Sequence, residues 1–170
     1  NYVKILSDID FRNSIFFTVK FVIASVIIIN VTGLTLALLV TQEIKGKTLF
    51  RTIFFMPNLI GGLILGFIWQ FVFLEGFNAI GEAMGFEALK GWLSTTNTGF
   101  WGLIILTTWQ MSGYIMIIYI AYLEGVPQEL IEAAKIDGAN PFQILWNIIF
   151  PLVAPAFTVS MFLTLSNSFK

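Results

Sequence analysis

Apolar residues in this chain come in long unbroken runs, not at the two-in-four spacing of a water-facing helix. Phe21 to Val40, "FVIASVIIINVTGLTLALLV", holds no charge, and Lys20 stands at its leading edge. Further runs cover Thr52 to Leu74, "TIFFMPNLIGGLILGFIWQFVFL", and Gly99 to Leu123, "GFWGLIILTTWQMSGYIMIIYIAYL". A last uncharged stretch reaches from Gly138 to Phe169. Pro151 and Pro155 suit the first turns of a helix, where a missing N–H costs little, which sets a fourth run at 149–168. About 20 apolar residues at 1.5 Å each cross the hydrocarbon core of a bilayer. Spans are therefore predicted at 21–40, 52–74, 99–123 and 149–168, with a connecting loop at 124–148.

Polar residues cluster between the runs and orient them. The segment "TQEIKGKTLFR" carries Lys45, Lys47 and Arg51, whereas residues 75–98 hold Lys90 against Glu75, Glu82 and Glu87. Basic residues in short loops stay in the cytoplasm, so the first loop is predicted inside and the second outside. Alternation then puts 124–148 in the cytoplasm. The three basic residues most simply orient the chain and touch anionic lipid. The outer loop reads as a short amphipathic helix near 77–90, with Trp92 and Trp101 as interfacial anchors.

Composition turns these runs into a class. The 170 residues are 57% hydrophobic and 11% charged, with mean hydropathy +0.86. Soluble domains carry about 25% charge, and a domain of this size still exposes roughly 30% of its unfolded surface. So much apolar surface must meet lipid. The predicted fold class is an all-α integral membrane protein, a polytopic helical bundle with four spans in this chain. A net charge of −1 leaves no basic stripe for a nucleic-acid partner. The absence of Cys and His removes disulfides, thiol chemistry and the commonest metal ligands.

One segment breaks the apolar pattern. In "ELIEAAKIDGANPFQILWNIIFP" (129–151), four of the first nine residues are charged. Pro127 suits the start of a helix carrying Leu130, Ala133, Ala134 and Asp137, and Gly138 permits the positive φ that ends one. Asn140 can cap the next helix, with Pro141 at its first position. Phe142, Leu145, Trp146 and Ile149 give that helix an apolar face. The object is a helix–turn–helix knuckle, either a solvated connector or a docking element; composition does not separate the two.

The knuckle resembles the EAA motif of binding-protein-dependent ABC importer permeases. That pattern has E-A-A, a Gly six residues after the Glu, an Ile ten further on, and L-P after one intervening residue. Glu132, Ala133, Ala134, Gly138, Ile148 and Pro151 match it, and Phe150 replaces the Leu. "GVPQEL", the inserted "IDGA" and "GKTLFRTIFFMPNLI" (46–60) look like the carbohydrate-uptake branch, similar to maltose and glycerol-phosphate permeases. The resemblance implies part of a type I ABC importer transmembrane domain in a bacterial or archaeal plasma membrane. It also implies a further span before residue 1 and another after residue 170. The chain opens without Met and is expected to be a piece of a longer protein.

The same resemblance implies the mechanism and partners. Glu132, Ala133, Ala134, Asp137, Gly138 and Pro151 would form the coupling loop that docks on a cytoplasmic ATPase subunit. A second permease subunit and an extracellular solute-binding protein complete the expected assembly, in a lipid bilayer. The chain has no G-x-x-x-x-G-K-[ST] phosphate loop, so no enzyme activity and no cofactor are expected of it, ATP being bound by the partner.

Polar residues inside spans are candidates for the solute pathway, since burying them in lipid is costly. The third span offers Thr107, Thr108, Gln110 and Ser112; the fourth offers Thr164, Ser166, Asn167 and Ser168. Thr107 and Gln110 share a helix face, and Ser168 lies four residues on from Thr164. The resemblance implies that the spans flanking the coupling loop line the sugar site, so Thr107, Gln110, Thr164 and Ser168 are the pathway candidates; sugars favour aromatic platforms, and Trp109 and Tyr114 are available. Each could equally bond its own backbone or glue helices together. Asn30 and Gln70 read as helix–helix contacts, and Gly61, Gly62 and Gly66 as close packing.

Other classes fit less well. An ion-coupled carrier or channel would place an acid, Lys or Arg deep in a span, and none lies there. A membrane enzyme would have few residues for metal or nucleophile chemistry, without His, Cys or an intramembrane acid pair. A pure assembly subunit differs from a permease only in whether the polar faces of the third and fourth spans touch ligand.

Overall fold

The computed structural model describes residues 8–42 and 46–169. Lys45, expected at the lipid surface, lies outside the described residues. Six helices follow in order among the described residues: α1 (Ile9–Val40), α2 (Lys47–Phe55), α3 (Gly62–Met84), α4 (Thr96–Leu123), α5 (Gln128–Ile136) and α6 (Pro141–Ser168). Four of them, α1, α3, α4 and α6, are long and apolar enough to cross a bilayer.

Helix α1 starts twelve residues before the predicted span. Asp8 caps it, its Oδ1 accepting from the Asp10 and Phe11 N–H groups at 2.9 and 3.4 Å, and nothing from Ile9 to Lys20 breaks a helix. At 1.5 Å per residue its 32 residues reach about 48 Å, well beyond a hydrocarbon core of about 30 Å. With apolar residues on every side, small ones decide which face packs. Ser25, Gly33 and Ala37 lie on the buried stripe with Val22, Ile29, Asn30 and Val40. A Cβ on Gly33 would come within 2.8 Å of Ile115 Cγ2, so α1 and α4 cross closely there.

The predicted span 52–74 is not one helix. Helix α2 ends at Phe55, a 3₁₀ turn runs from Met56 to Leu59, and Ile60 and Gly61 are extended. Pro57 has no N–H for a helix to use, and the Gly61–Gly62 pair adds nothing to hold one. The spanning helix is α3, which restarts at Gly62 and runs through a π-turn at Val72–Gly76 to Met84. The expected outer helix near 77–90 is thus the end of α3, closed by Gly85 in the left-handed region. Gly61, Gly62 and Gly66 face open space and Gln70 is exposed, so these four do not pack as expected within the described chain.

The loop after α3 folds back on that helix. Trp92 stacks on Phe73 at 5.6 Å, and the Gly91 N–H donates to Asn78 Oδ1 at 2.9 Å. Trp92 therefore packs at least as much as it anchors. The hydrogen bond and then the charge of Glu87, 2.8 Å away, hold the Lys90 ammonium above the usual lysine range.

The core lies between α1, α4 and α6, around Ile29, Met116, Tyr119 and Val153. Thr95 and Thr98 form a reciprocal capping box at the start of α4. Helix α6 begins at Pro141, eight residues before the predicted fourth span, and continues without a break into the membrane. A π-turn at Leu145–Ile149 precedes Pro151 and supplies a wider turn where that residue lacks a donor.

Candidate functional site

Two features carry candidate chemistry: the knuckle between α4 and α6, and the polar or aromatic side chains held inside the bundle.

The knuckle is built as its residues dictate. Pro127 caps α5 in extended conformation. Gly138 has φ +81°, and the Ala139 N–H reaches back to the Ala134 carbonyl at 2.9 Å, the six-to-one closure that a left-handed residue makes available. Asn140 and Gln143 then exchange side-chain and backbone bonds at 2.8 and 2.9 Å, opening α6. Val126 is buried and Ile131 packs on the core, so the root of the knuckle is fixed.

Its tip stands free. Glu132, Ala133 and Asp137 are exposed, Ala134 is half-buried, and neither carboxylate has an ion-pair partner among the described residues. Ile136 is 86% exposed, and Phe142 and Trp146 are also exposed. These apolar side chains are held out beside the charged ones on the same turn. Pro151 is exposed on α6 beyond the π-turn. An aromatic series, Phe142, Trp146, Phe150 and Phe157, runs from this turn to Tyr119 in the core, with ring centroids 4.7–5.9 Å apart.

The four pathway candidates do not form one cluster. Thr107 Oγ1 donates to its own helix at Leu103 O, 2.7 Å away, and Ser168 Oγ does the same to Thr164 O at 2.8 Å. Gln110 Nε2 reaches the Ile60 carbonyl at 3.5 Å, where the chain leaves its helical path. Thr164 is fully buried and accepts from Asn30 Nδ2 at 3.0 Å. Asn30 Oδ1 accepts from the Tyr119 hydroxyl at 3.0 Å, and that hydroxyl accepts from Ser160 Oγ at 2.8 Å. Asn30 is thus an interhelical contact, as expected from sequence. Tyr119 and Ser160 were not singled out; the available signal was that Ser160 and Thr164, four apart, share a face.

A separate cleft of about 720 Å³ lies between α1, α2, α3 and α4. Thr32, Ile53, Trp69, Trp101, Thr108 and Trp109 are among its lining residues. Trp69 and Trp109 meet edge to face at 5.5 Å. Tyr114, the other expected platform, packs on the core.

The family model described as "Binding-protein-dependent transport system inner membrane component" matches residues 29–170. The chain belongs to this family. The "Probable starch degradation products transport system permease protein AmyD" of Thermoanaerobacterium thermosulfurigenes is 61% identical over 170 residues, covering 100% of this chain and 58% of that protein. The "Trehalose/maltose transport system permease protein MalF" of Thermococcus litoralis is 31% identical over 96% of this chain and 56% of its own length. A chain of a bacterial ABC transporter crystallised with an alginate pentasaccharide-bound periplasmic protein superposes with TM-score 0.86 at 21% identity, over 96% of this chain and 58% of that one. That likeness shows a shared transmembrane fold. The chain spans a little over half the length of the relatives it matches. As a family member it is a multi-pass inner-membrane component, and the spaced motif read in the sequence sits on its exposed knuckle.

Proposed function

We propose that this chain is the central part of a permease subunit in an ATP-driven importer for a sugar or oligosaccharide. ATP is bound and hydrolysed by a separate cytoplasmic ATPase that receives the knuckle around Glu132 and Gly138. A second permease subunit and an extracellular solute-binding protein complete the assembly. The observation that carries the reading is the knuckle itself: a turn fixed by Gly138, rooted on the bundle, with Glu132 free and Ile136 and Phe142 held outward. Ala133 and Ala134 leave room for a partner surface to approach. A charge-assisted contact from Glu132 contributes a few kcal/mol, mostly as the cost of leaving its partner unpaired.

Support for a sugar comes from the relatives named for starch products and for trehalose or maltose. Thr107, Gln110, Thr164 and Ser168 are the proposed pathway residues. Thr164 also ties α6 to α1 through Asn30, so its substitution acts on packing as well as on solute.

The test is recovery of the ATPase. The full-length protein is expressed with its transport partners, tagged and purified, as wild type and as Gly138→Asp. The substitution strains a backbone at φ +81° and adds charge at the joint. An ATPase recovered with wild type and lost with Gly138→Asp supports the reading, and stimulation of that ATPase by starch-derived oligosaccharides identifies the solute class. Failure to recover any ATPase with wild type removes the coupling role.

A further inference from the structure

Helix α2 is fastened to α4 at two points. At the first, the Phe54 backbone lies directly on Gly113: a Cβ there would overlap the Phe54 carbonyl and come within 2.9 Å of Phe55 N. At the second, Arg51 Nη2 donates to Glu124 Oε1 at 2.6 Å. Glu124 is the residue that closes α4 before the turn into α5. The pair joins segments 73 residues apart, with only Gly125, Val126 and Pro127 separating Glu124 from the knuckle.

This pair is shielded on one side only: the Glu124 side chain is 51% exposed, whereas the guanidinium is drawn in. The Arg51 side chain is 27% exposed, and its Nε is sealed from solvent with no partner among the described residues. Drawing a guanidinium that far out of water is repaid where its geometry is fixed by a carboxylate. A cation serving only to orient the chain would keep its fork free for headgroups. On the other side, α2 and the turn after it contribute Ile53, Phe54, Met56, Pro57 and Ile60 to the wall of the cleft. One short helix therefore carries both the cation that holds the root of the knuckle and the residues that wall the cleft.

We propose that Arg51 is a positioning residue for energy coupling. Through Glu124 it holds the root of the knuckle against α2. A displacement imposed on α5 is thereby delivered to α2 and to the wall of the cleft that α2 and the turn after it form. This deepens the coupling role proposed above and rests on it for the source of the displacement.

The experiment uses the full-length transporter with its ATPase and permease partner in proteoliposomes, as wild type, Arg51→Gln, Glu124→Gln, Arg51→Glu, and the exchange Arg51→Glu with Glu124→Arg. ATPase recovery is expected to match wild type in Arg51→Gln and Glu124→Gln. Solute carried per ATP should fall about threefold in each, the scale of a partly exposed ion pair. The exchange should restore most of that loss relative to Arg51→Glu alone.

A second readout needs no ATPase. Spin labels at Leu49→Cys and Ile136→Cys in the full-length subunit should give a distance distribution that broadens with Arg51→Gln and with Arg51→Glu and narrows again in the exchange. Wild-type coupling together with an unbroadened distribution in the single variants would overturn the proposal. So would an exchange no better than Arg51→Glu, or loss of ATPase recovery in Arg51→Gln, which assigns the pair to assembly. If wild type recovers no ATPase, the coupling role falls, and the label distances still decide whether Arg51 holds the knuckle.

Discussion

Replacing Gly113 by Ala puts a methyl group where the Phe54 carbonyl already is. The nearest atoms are backbone, Phe54 O and C and then Phe55 N at 2.9 Å, so no side chain can rotate away. Carbon and oxygen normally approach no closer than about 3.3 Å, so α2 must retreat from α4 by roughly 1 Å or more. Overpacking of this kind costs about 1–3 kcal/mol, and a rigid backbone partner points to the upper part of that range. Against it runs the gain from replacing Gly in a helix, up to about 1 kcal/mol. Gly66→Ala isolates that gain, because nothing lies within 4 Å of a Cβ there. Thermal unfolding of the full-length subunit in nanodiscs, followed by tryptophan fluorescence, compares the two directly. Gly113→Ala should melt roughly 3–10 °C below Gly66→Ala. Equal melting temperatures would refute the backbone contact between α2 and α4, and with it the first fastening point argued for α2.

The buried network predicts a second loss. Tyr119→Phe removes the hydroxyl that joins Asn30 to Ser160; interhelical hydrogen bonds in membranes average about 0.6 kcal/mol with a maximum near 1.7, so the same unfolding measurement should show a loss of about 1–2 kcal/mol for the two bonds. An unchanged melting temperature would show that the network does not hold α1, α4 and α6 together. In the loop after α3, the folded-state pKa of Lys90 is raised, chiefly by its hydrogen bond to Glu87. The pair's contribution is then complete below the ordinary lysine pKa and is lost as pH rises through the folded value. Amide exchange across residues 85–95, corrected for intrinsic pH dependence, should therefore show constant protection from neutral to mildly alkaline pH and a decline only in strong alkali. Glu87→Gln should abolish that decline; a decline that survives the substitution assigns it to another group.

Much of the knuckle was legible because its determinants are local. Gly138 has φ +81° since a left-handed residue is what closes α5, and Asn140 with Pro141 opens α6 as any helix start would. The residues that fix its root were less visible. Arg51 read as a topology signal, and nothing in "GKTLFR" shows that its side chain meets Glu124, 73 residues on. The pathway candidates share this limit. Threonine and serine in a span have the same appearance whether they bond their own backbone, as Thr107 and Ser168 do, or hold a neighbour, as Thr164 does.

What the sequence by itself determined is the solvent and the number of long apolar helices, since both follow from hydropathy summed over about 20 residues and need no neighbour. Where those helices begin and end does not follow from summed hydropathy, because local backbone chemistry intervenes. Pro57 and the Gly61–Gly62 pair broke a continuous apolar run into α2 and α3, whereas Pro151 left α6 whole because a π-turn lies ahead of it. Which face of each helix is inside was decided wholly by packing. In α1 and α4 apolar residues occur on every side, so no stripe of hydrophobicity selects the interior. Selection fell instead to small residues that admit a close crossing, Gly33 under Ile115 and Gly113 under Phe54, and to a few polar side chains, Asn30, Tyr119, Ser160 and Thr164, that find one another only once the helices are together.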